Sequence, residues 1–298
     1  MAYFDFSCKH DVLIENPDGS LQPMDEPFFQ SELIAPNTWK ILSDGDFQYL
    51  VAGDGEALII DTGYGCGNLR EYCEQLCGMP VRWAANTHEH FDHTANNGYF
   101  DLVYLTEKAH KNATVPYASF AGIDFPRDYS VQHVKTGDII PLKGRPLEVF
   151  EIADHTPGGA AFLDRKEHIL FSGDEIWERK PLTNSAEEFA AYLEKIVENE
   201  NAYDVLWTGG GRIDGVVPRK QLENCRKIMA GAQGEKCENR GGPPPQPKRP
   251  DGVQVWKRKM PHYGDNSGNL WGKPRPDVAK MRMVETDGVA MMFIPTEL

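Results

Sequence analysis

The segment from Asn86 to Gly98, NTHEHFDHTANNG, holds three of the chain's nine histidines and an aspartate within six positions: His88, His90, Asp92 and His93. Side chains at i and i+2 of a strand or strand-end loop point the same way. That directs His88 and His90 to one side, an arrangement wasteful for an apolar core and suited to gripping one cation. Neutral imidazole and carboxylate are together the usual protein ligands of zinc, and they also suit iron and manganese. The His-x-His-x-Asp-His spacing marks a metal site.

Three more residues of metal-binding chemistry close apolar runs: Asp61 after ALII, His155 after LEVFEIAD and Asp174 after ILFSG. In layered α/β folds, sites collect at strand ends, where loops project side chains into one crevice. A histidine alone is more often a surface or satisfied core residue than a ligand. His155 gains its weight from the company of the others.

The elements that position these residues are legible as runs. TWKILS, FQYLVAG and ALIIDTG, separated by DGD and GDGE, form a meander of short strands. A helix follows over residues 68–76, NLREYCEQL, and VRWAANTHEH is a strand running into the histidine cluster. DLVYLTEKAHKNA is a strand and then a helix. Three apolar runs in LEVFEIADHTPGGAAFLDRKEHILFSGDEIW each end at a polar cluster. SAEEFAAYLEKIVEN has helical spacing, YDVLWTGGG is a strand ending in glycines, and PRKQLENCRKIMAGA is a final helix. Both halves share a β-rich plan with helices between, the pattern of a pseudo-symmetric sandwich. Residues 1–27 form a polar N-terminal segment and residues 28–232 the main domain. Residues 233–250, containing GGPPPQPKRP, read as a stiff Pro-rich linker. Residues 251–298, with Trp256, Trp271 and a hairpin around Asp287–Gly288, form an extension packing on the main domain. It is a cover over the groove, a dimer contact, or a hairpin added to one sheet.

Composition narrows the function. The chain's 298 residues suffice for one large α/β domain or two smaller ones. Its formal charge, 31 − 45 = −14, speaks against nucleic-acid and anionic-membrane partners, which need a basic face. The N-terminus lacks the basic start and apolar run of a signal peptide, and no apolar run approaches the roughly 20 residues of a membrane span. Cys8, Cys66, Cys73, Cys77, Cys225 and Cys237 lack zinc-ribbon spacing and read as reduced thiols. A cytoplasmic protein with a small-molecule substrate is expected; a homo-oligomer remains open.

ALIIDTGYG, THEHFDH, DHTPGG and ILFSGDEIW resemble, in order and spacing, the successive motifs of the metallo-β-lactamase-fold superfamily over residues 28–232. The resemblance implies an αββα sandwich with a metal groove at one edge of its two sheets. It implies that His88, His90 and His155 hold a first ion, that Asp92 and His93 face a second, and that Asp174 bridges them. Asp61 matches the aspartate that supports the site from behind. One or two zinc ions are implied, with iron or manganese as alternatives.

The departure is at the fifth motif. Two-metal hydrolases of the family usually carry a histidine where this chain reads TGGGR, so that Gly210 stands in its place. Either the site takes one ion, or another residue, such as Asp214 or His262, supplies the contact. The function implied is hydrolysis of an ester-like bond (thioester, lactone or related), since zinc lowers the pKa of bound water to roughly 7. Asp92 is the candidate catalytic residue, placed to orient that water and shuttle a proton. Two alternatives stay open: a mononuclear iron dioxygenase of a sulfur substrate using His88, His155 and Asp174, and a non-catalytic protein with a degenerate site. Tyr64 is a candidate pocket residue. Asn96, Asn97 and Gly98 are read as caps and tight packing, and TPGG as the turn that aims His155.

Overall fold

The computed structural model describes residues 13–15, 20–23, 29–43, 46–64, 67–115, 128–237, 255–256 and 278–295. Near the N-terminus, β1 (Leu13–Glu15) and β2 (Leu21–Pro23) pair antiparallel. The first large sheet runs in chain order through β3 (Phe29–Ala35), β4 (Thr38–Ser43), β5 (Asp46–Ala52), β6 (Ala57–Ile60), β7 (Val81–Ala85), β8 (Leu102–Leu105) and β9 (Val131–His133). It is antiparallel up to β6 and parallel from β6 onward. The switch needs a crossover, supplied by helix α1 (Leu69–Cys77) between β6 and β7. Asn68 caps that helix by accepting from the Glu71 N–H, and Gly78 ends it in the left-handed conformation at φ 67°. Single helical turns α2 (Phe91–Thr94) and α3 (Glu107–His110) follow β7 and β8.

The second sheet repeats the plan. Its order is β10 (Ile139–Ile140), β11 (Leu147–Glu151), β12 (Ala160–Asp164), β13 (Ile169–Gly173), β15 (Val205–Thr208) and β16 (Gly211–Asp214). Here α4 (Ala186–Val197), capped by Ser185, makes the crossover from β13 to its parallel neighbour β15. Helix α5 (Val217–Met229) follows β16.

Burial shows four layers. Leu50 and Ile59 face α1 residues Leu69 and Cys73. Their chain neighbours Tyr49, Val51, Leu58 and Ile60 face the second sheet at Val149, Phe162 and Phe171. The far face of that second sheet, Leu163, Leu170 and Leu206, packs on Phe189 and Leu193 of α4 and Leu222 and Ile228 of α5. Central strands are thus covered on both faces, which is why ALII and ILF are continuous apolar runs instead of alternating ones. The fold is the expected αββα sandwich.

Two expectations change. The helix expected in TEKAHKNA is only the single turn α3. The C-terminal hairpin forms, with β19 (Arg282–Thr286) and β20 (Val289–Phe293) joined at Asp287 (φ 46°) and Gly288 (φ 84°), but it extends neither large sheet. It pairs with β14 (Arg179–Pro181) and β17 (Glu235–Lys236) in a separate four-stranded sheet. Val284, Val289, Met291 and Phe293 lay it against the α4–α5 layer, where their apolar surface finds cover. Strand β18 (Val255–Trp256) pairs with β1. The Pro-rich run, Cys8, Cys66, His262 and Trp271 lie outside the described residues. Among the described residues no helix is long and apolar enough to cross a membrane.

Arg145 clamps one end of the sandwich. Fully buried, it donates from Nε to Asp164 Oδ2 at 2.7 Å, from Nη2 to Thr38 Oγ1 at 2.6 Å, and from Nη1 to the carbonyls of Pro36 and Asn37 at 3.1 and 2.9 Å. One guanidinium thereby joins the end of β12 to the β3–β4 turn of the opposite sheet. Removing one partner of a buried ion pair strands the other charge. Arg145→Met is expected to cost about 3–5 kcal/mol, read from the urea midpoint at unchanged slope.

Candidate metal centre

Five strand ends converge at the other end of the sandwich. Asp61 ends β6 with φ 61°, the left-handed region. Its carboxylate accepts from Thr87 N (2.7 Å) and Thr87 Oγ1 (2.7 Å) and meets His93 Nδ1 at 2.9 Å. The segment after β7 supplies His88 and His90, and α2 supplies Asp92 and His93. An amide pair fixes that turn from behind: Asn86 Nδ2 donates to His93 O at 2.9 Å, while Asn97 Nδ2 donates to Asn86 Oδ1 at 2.8 Å. Asn97 thus has the structural role expected of it.

His155 arrives on the loop after β11, which is aimed by Glu175. That buried carboxylate accepts from the backbone N–H groups of Asp154, His155 and Thr156 at 2.9, 2.7 and 3.1 Å. Thr156 Oγ1 also donates to Glu89 Oε2 at 2.8 Å. The loop packs so tightly that only glycine fits at its end. A Cβ on Gly158 would lie 2.6 Å from Ala109 Cα, and one on Gly159 would lie 2.0 Å from Ile152 O. Behind the loop, Lys180 Nζ stands 3.0 Å from Asp154 Oδ2 and 3.9 Å from Glu175 Oε2. Burial pushes Glu175 up to about 7, against the pull of Lys180.

The six predicted ligands, His88, His90, Asp92, His93, His155 and Asp174, all meet here. His90 Nδ1 and His155 Nε2 lie 3.0 Å apart, and the His88 ring centre is 4.7 Å from that of His90 and 5.0 Å from that of His155. One donor nitrogen from each of the three falls within 4.8 Å of the others. A second group, His88, His93 and Asp174, meets the same limit. His93 Nε2 stands 3.7 Å from Asp92 Oδ2 and 3.8 Å from Asp174 Oδ2, and His155 Nε2 stands 3.7 Å from Asp174 Oδ2.

The two groups differ electrostatically. Burial, with His93 adding to it, lowers His90 to about 3. Burial and neighbouring imidazoles likewise hold His88 and His155 well below the ordinary histidine value. These three are neutral at physiological pH, with lone pairs available. For His93 burial also lowers the pKa, but Asp61, Asp92 and Asp174 outweigh it and hold the imidazolium well above its usual range. Burial raises Asp174 to about 6, opposed by His93 and reinforced by Asp46 and Asp61.

Polar atoms orphaned in this centre test its fit to a cation. His88 Nε2, His93 Nε2 and Asp174 Oδ1 are buried with no hydrogen-bond partner among the described residues. An unpaired buried polar atom costs about 1–3 kcal/mol. Three such atoms converging in one cluster of imidazole and carboxylate fit a divalent ion, whose bonds would replace those missing partners.

The model of the Metallo-beta-lactamase superfamily matches residues 46–217. The chain belongs to this superfamily. Among solved structures similar to it, a metallo-beta-lactamase from Pontibacter korlensis has TM-score 0.51 at 19% identity, covering 66% of this chain and 99% of that one. DIM-1 metallo-beta-lactamase gives 0.53 at 17% identity, covering 68% and 98%. Among curated relatives, the human protein named acyl-coenzyme A thioesterase MBLAC2 is 28% identical over 163 residues, spanning 44% of this chain and 58% of its own length. Atrochrysone carboxyl ACP thioesterase of Aspergillus chevalieri is 22% identical over 233 residues, spanning 73% of this chain and 69% of its own length.

The turn after β15 is built from glycines, without side chains. A Cβ on Gly209 would sit 2.3 Å from Asp174 Oδ1, and one on Gly210 would sit 2.5 Å from the Trp177 ring. Trp177 is anchored by donating from Nε1 to Asp174 O at 2.7 Å. Asp214 is no substitute ligand. It pairs with Val205 at the far end of the ladder, is exposed, and accepts from Val216 N at 3.0 Å. Tyr64, a candidate pocket residue, is buried at 3% exposure. Sequence reasoning passed over Asp46, Tyr49 and Glu175. The Tyr49 hydroxyl donates to Thr208 O, and an oxygen of Asp46 lies within 4.8 Å of ligand atoms of Asp92 and His93. The only signal for Asp46 was an aspartate opening a strand next to a turn.

Gly159→Ala is expected to destabilise by about 3 kcal/mol or more, because Ile152 O and Glu175 must both move. Chemical denaturation measures it; a variant within about 0.5 kcal/mol of the parent would contradict the close packing.

Proposed function

We propose that the protein is a metal-dependent hydrolase of acyl thioesters, using one or two ions of zinc type. The convergence of three neutral imidazoles beside His93, Asp92 and Asp174 carries this reading. The thioesterases among its relatives support the substrate class. His88, His90 and His155 would hold one ion, Asp92 and His93 would face a second, and Asp174 would bridge them. The chemistry such an ion supplies is Lewis acidity, toward a water molecule and toward the carbonyl oxygen of the thioester.

The chain's own residues do the positioning. Asp61 fixes the His93 ring through Nδ1, so that Nε2 faces Asp92 and Asp174. Thr87 Oγ1, 3.1 Å from His88 Nδ1, leaves His88 Nε2 directed into the cluster. Such supporting partners set tautomer and ring orientation. The Asp92 carboxylate would orient the attacking water and accept its proton. Overall, water adds its oxygen to the acyl carbon, the carbon–sulfur bond breaks, and acid and thiol are released. Thiols have pKa values of about 8–9, so the sulfur leaves as thiolate with little acid assistance.

The deciving experiment is a hydrolysis panel with metal-loaded protein: acyl-N-acetylcysteamine, acyl-coenzyme A, a lactone and a phosphodiester, with released thiol read colorimetrically. Thioester turnover abolished by chelation and restored by zinc is expected. Turnover of the lactone or phosphodiester alone would overturn the substrate class. His88→Ala should lower kcat/KM by about 100-fold or more, together with loss of bound metal. Asp61→Asn should weaken zinc affinity by about 10- to 100-fold, measured by competition with a chromophoric chelator.

A further inference from the structure

Asp46, Asp92 and His93 form a third potential ligand group, sharing no residue with His88, His90 and His155. One carboxylate oxygen of Asp46, one of Asp92 and a ring nitrogen of His93 all lie within 4.8 Å of one another. An independent feature points to an ion there. His93 Nε2 is fully buried, 3.7 Å from Asp92 Oδ2, with no hydrogen-bond partner among the described residues.

Asp46 is held in place by the same turn that lacks a ligand. Phe47 N donates to Gly209 O at 3.0 Å, and the Tyr49 hydroxyl donates to Thr208 O. These two bonds stitch the opening of β5 to the glycine turn after β15. Gln48 steadies the same corner, donating from Nε2 to Asp46 O at 3.0 Å while accepting from Ser43 Oγ at 2.9 Å. The turn itself cannot contribute, since Trp177 fills the space of a side chain at Gly210.

We infer that Asp46 is a ligand of the second metal ion, in the coordination place that the glycine turn leaves without a side chain. The inference rests on the proposal that this cluster holds metal. It makes the two positions chemically unequal. The first offers three imidazoles; the second offers the carboxylates of Asp46, Asp92 and Asp174 with a single imidazole, His93. Carboxylate-rich sites favour harder ions such as manganese, whereas imidazole suits zinc. A zinc-type ion at the first position and manganese tolerated at the second follow from that contrast.

The test uses the full chain, freed of metal and then titrated separately with zinc and manganese. Bound ions per chain are read by elemental analysis and calorimetry, and bound manganese by electron paramagnetic resonance. The parent should take two zinc ions, Asp46→Asn one, with an unchanged near-ultraviolet dichroism spectrum. Bound manganese should persist in His155→Ala and disappear in Asp46→Asn. Two ions in Asp46→Asn with affinities like the parent's, or one ion in the parent, would overturn the role of Asp46 and leave a metal-dependent hydrolase standing. No ion in the parent would overturn both. If Asp46→Asn does not fold, a crystal structure of the zinc-loaded parent decides. An Asp46 oxygen at about 2.0–2.2 Å from the second ion supports the assignment, and one beyond about 3 Å refutes it.

Discussion

A buried carboxylate cannot remain in a protein interior unless hydrogen bonds replace its water, and Asp61 satisfies that demand with three groups from two other elements. Its bonds to Thr87 N and Thr87 Oγ1 fix the strand end that carries His88 and His90. Its bond to His93 Nδ1 fixes the turn that carries Asp92. The left-handed backbone at Asp61 turns the chain out of β6, so that the carboxylate reaches both. The arrangement of the centre depends on this one residue making all three contacts at once. A shift of β6 against β7 would break them together.

The centre is also partitioned by charge. On one side, burial and the repulsion of neighbouring side chains, His93 among them, keep His88, His90 and His155 neutral. On the other, Asp61, Asp92 and Asp174 surround His93 and draw positive charge to it. A cation placed between these groups would gain from the lone pairs of the first set and the negative field of the second. The Lys180 ammonium is kept with Asp154 and Glu175 behind the His155 loop, where it neutralises the carboxylates that aim that loop.

Much of this was legible in the sequence because it is local. His88, His90, Asp92 and His93 fall within six positions, and Asp61, His155 and Asp174 each close an apolar strand whose continuity reflects burial on both faces. The αββα layering was implied by the resemblance to the superfamily, and the β-rich plan shared by the two halves agrees with it. Other contributions come from contacts distant in sequence and leave no local pattern. Asp46 opens a strand after DG and looks like a turn residue until Phe47 is seen bonded to Gly209. Glu175 stands beside a predicted site residue, yet its partners lie on the loop after β11. Arg145 sits in KGRP, an ordinary surface turn by composition, and is fully buried. The separate sheet made by the C-terminal hairpin was hidden because β14 is only three residues long.

The Trp177 ring beneath Gly210 constrains the order in which this protein could change. A histidine introduced at Gly210 alone would meet the indole before it met an ion. The tryptophan would have to move or shrink first, giving up its bond to Asp174 O and the cover it provides. That intermediate would bear the cost of a loosened turn without yet having a new side chain to show for it. Any side chain at Gly210 is therefore contingent on a change at a second site. The glycine turn is entrenched by its neighbour, independently of whatever activity it serves.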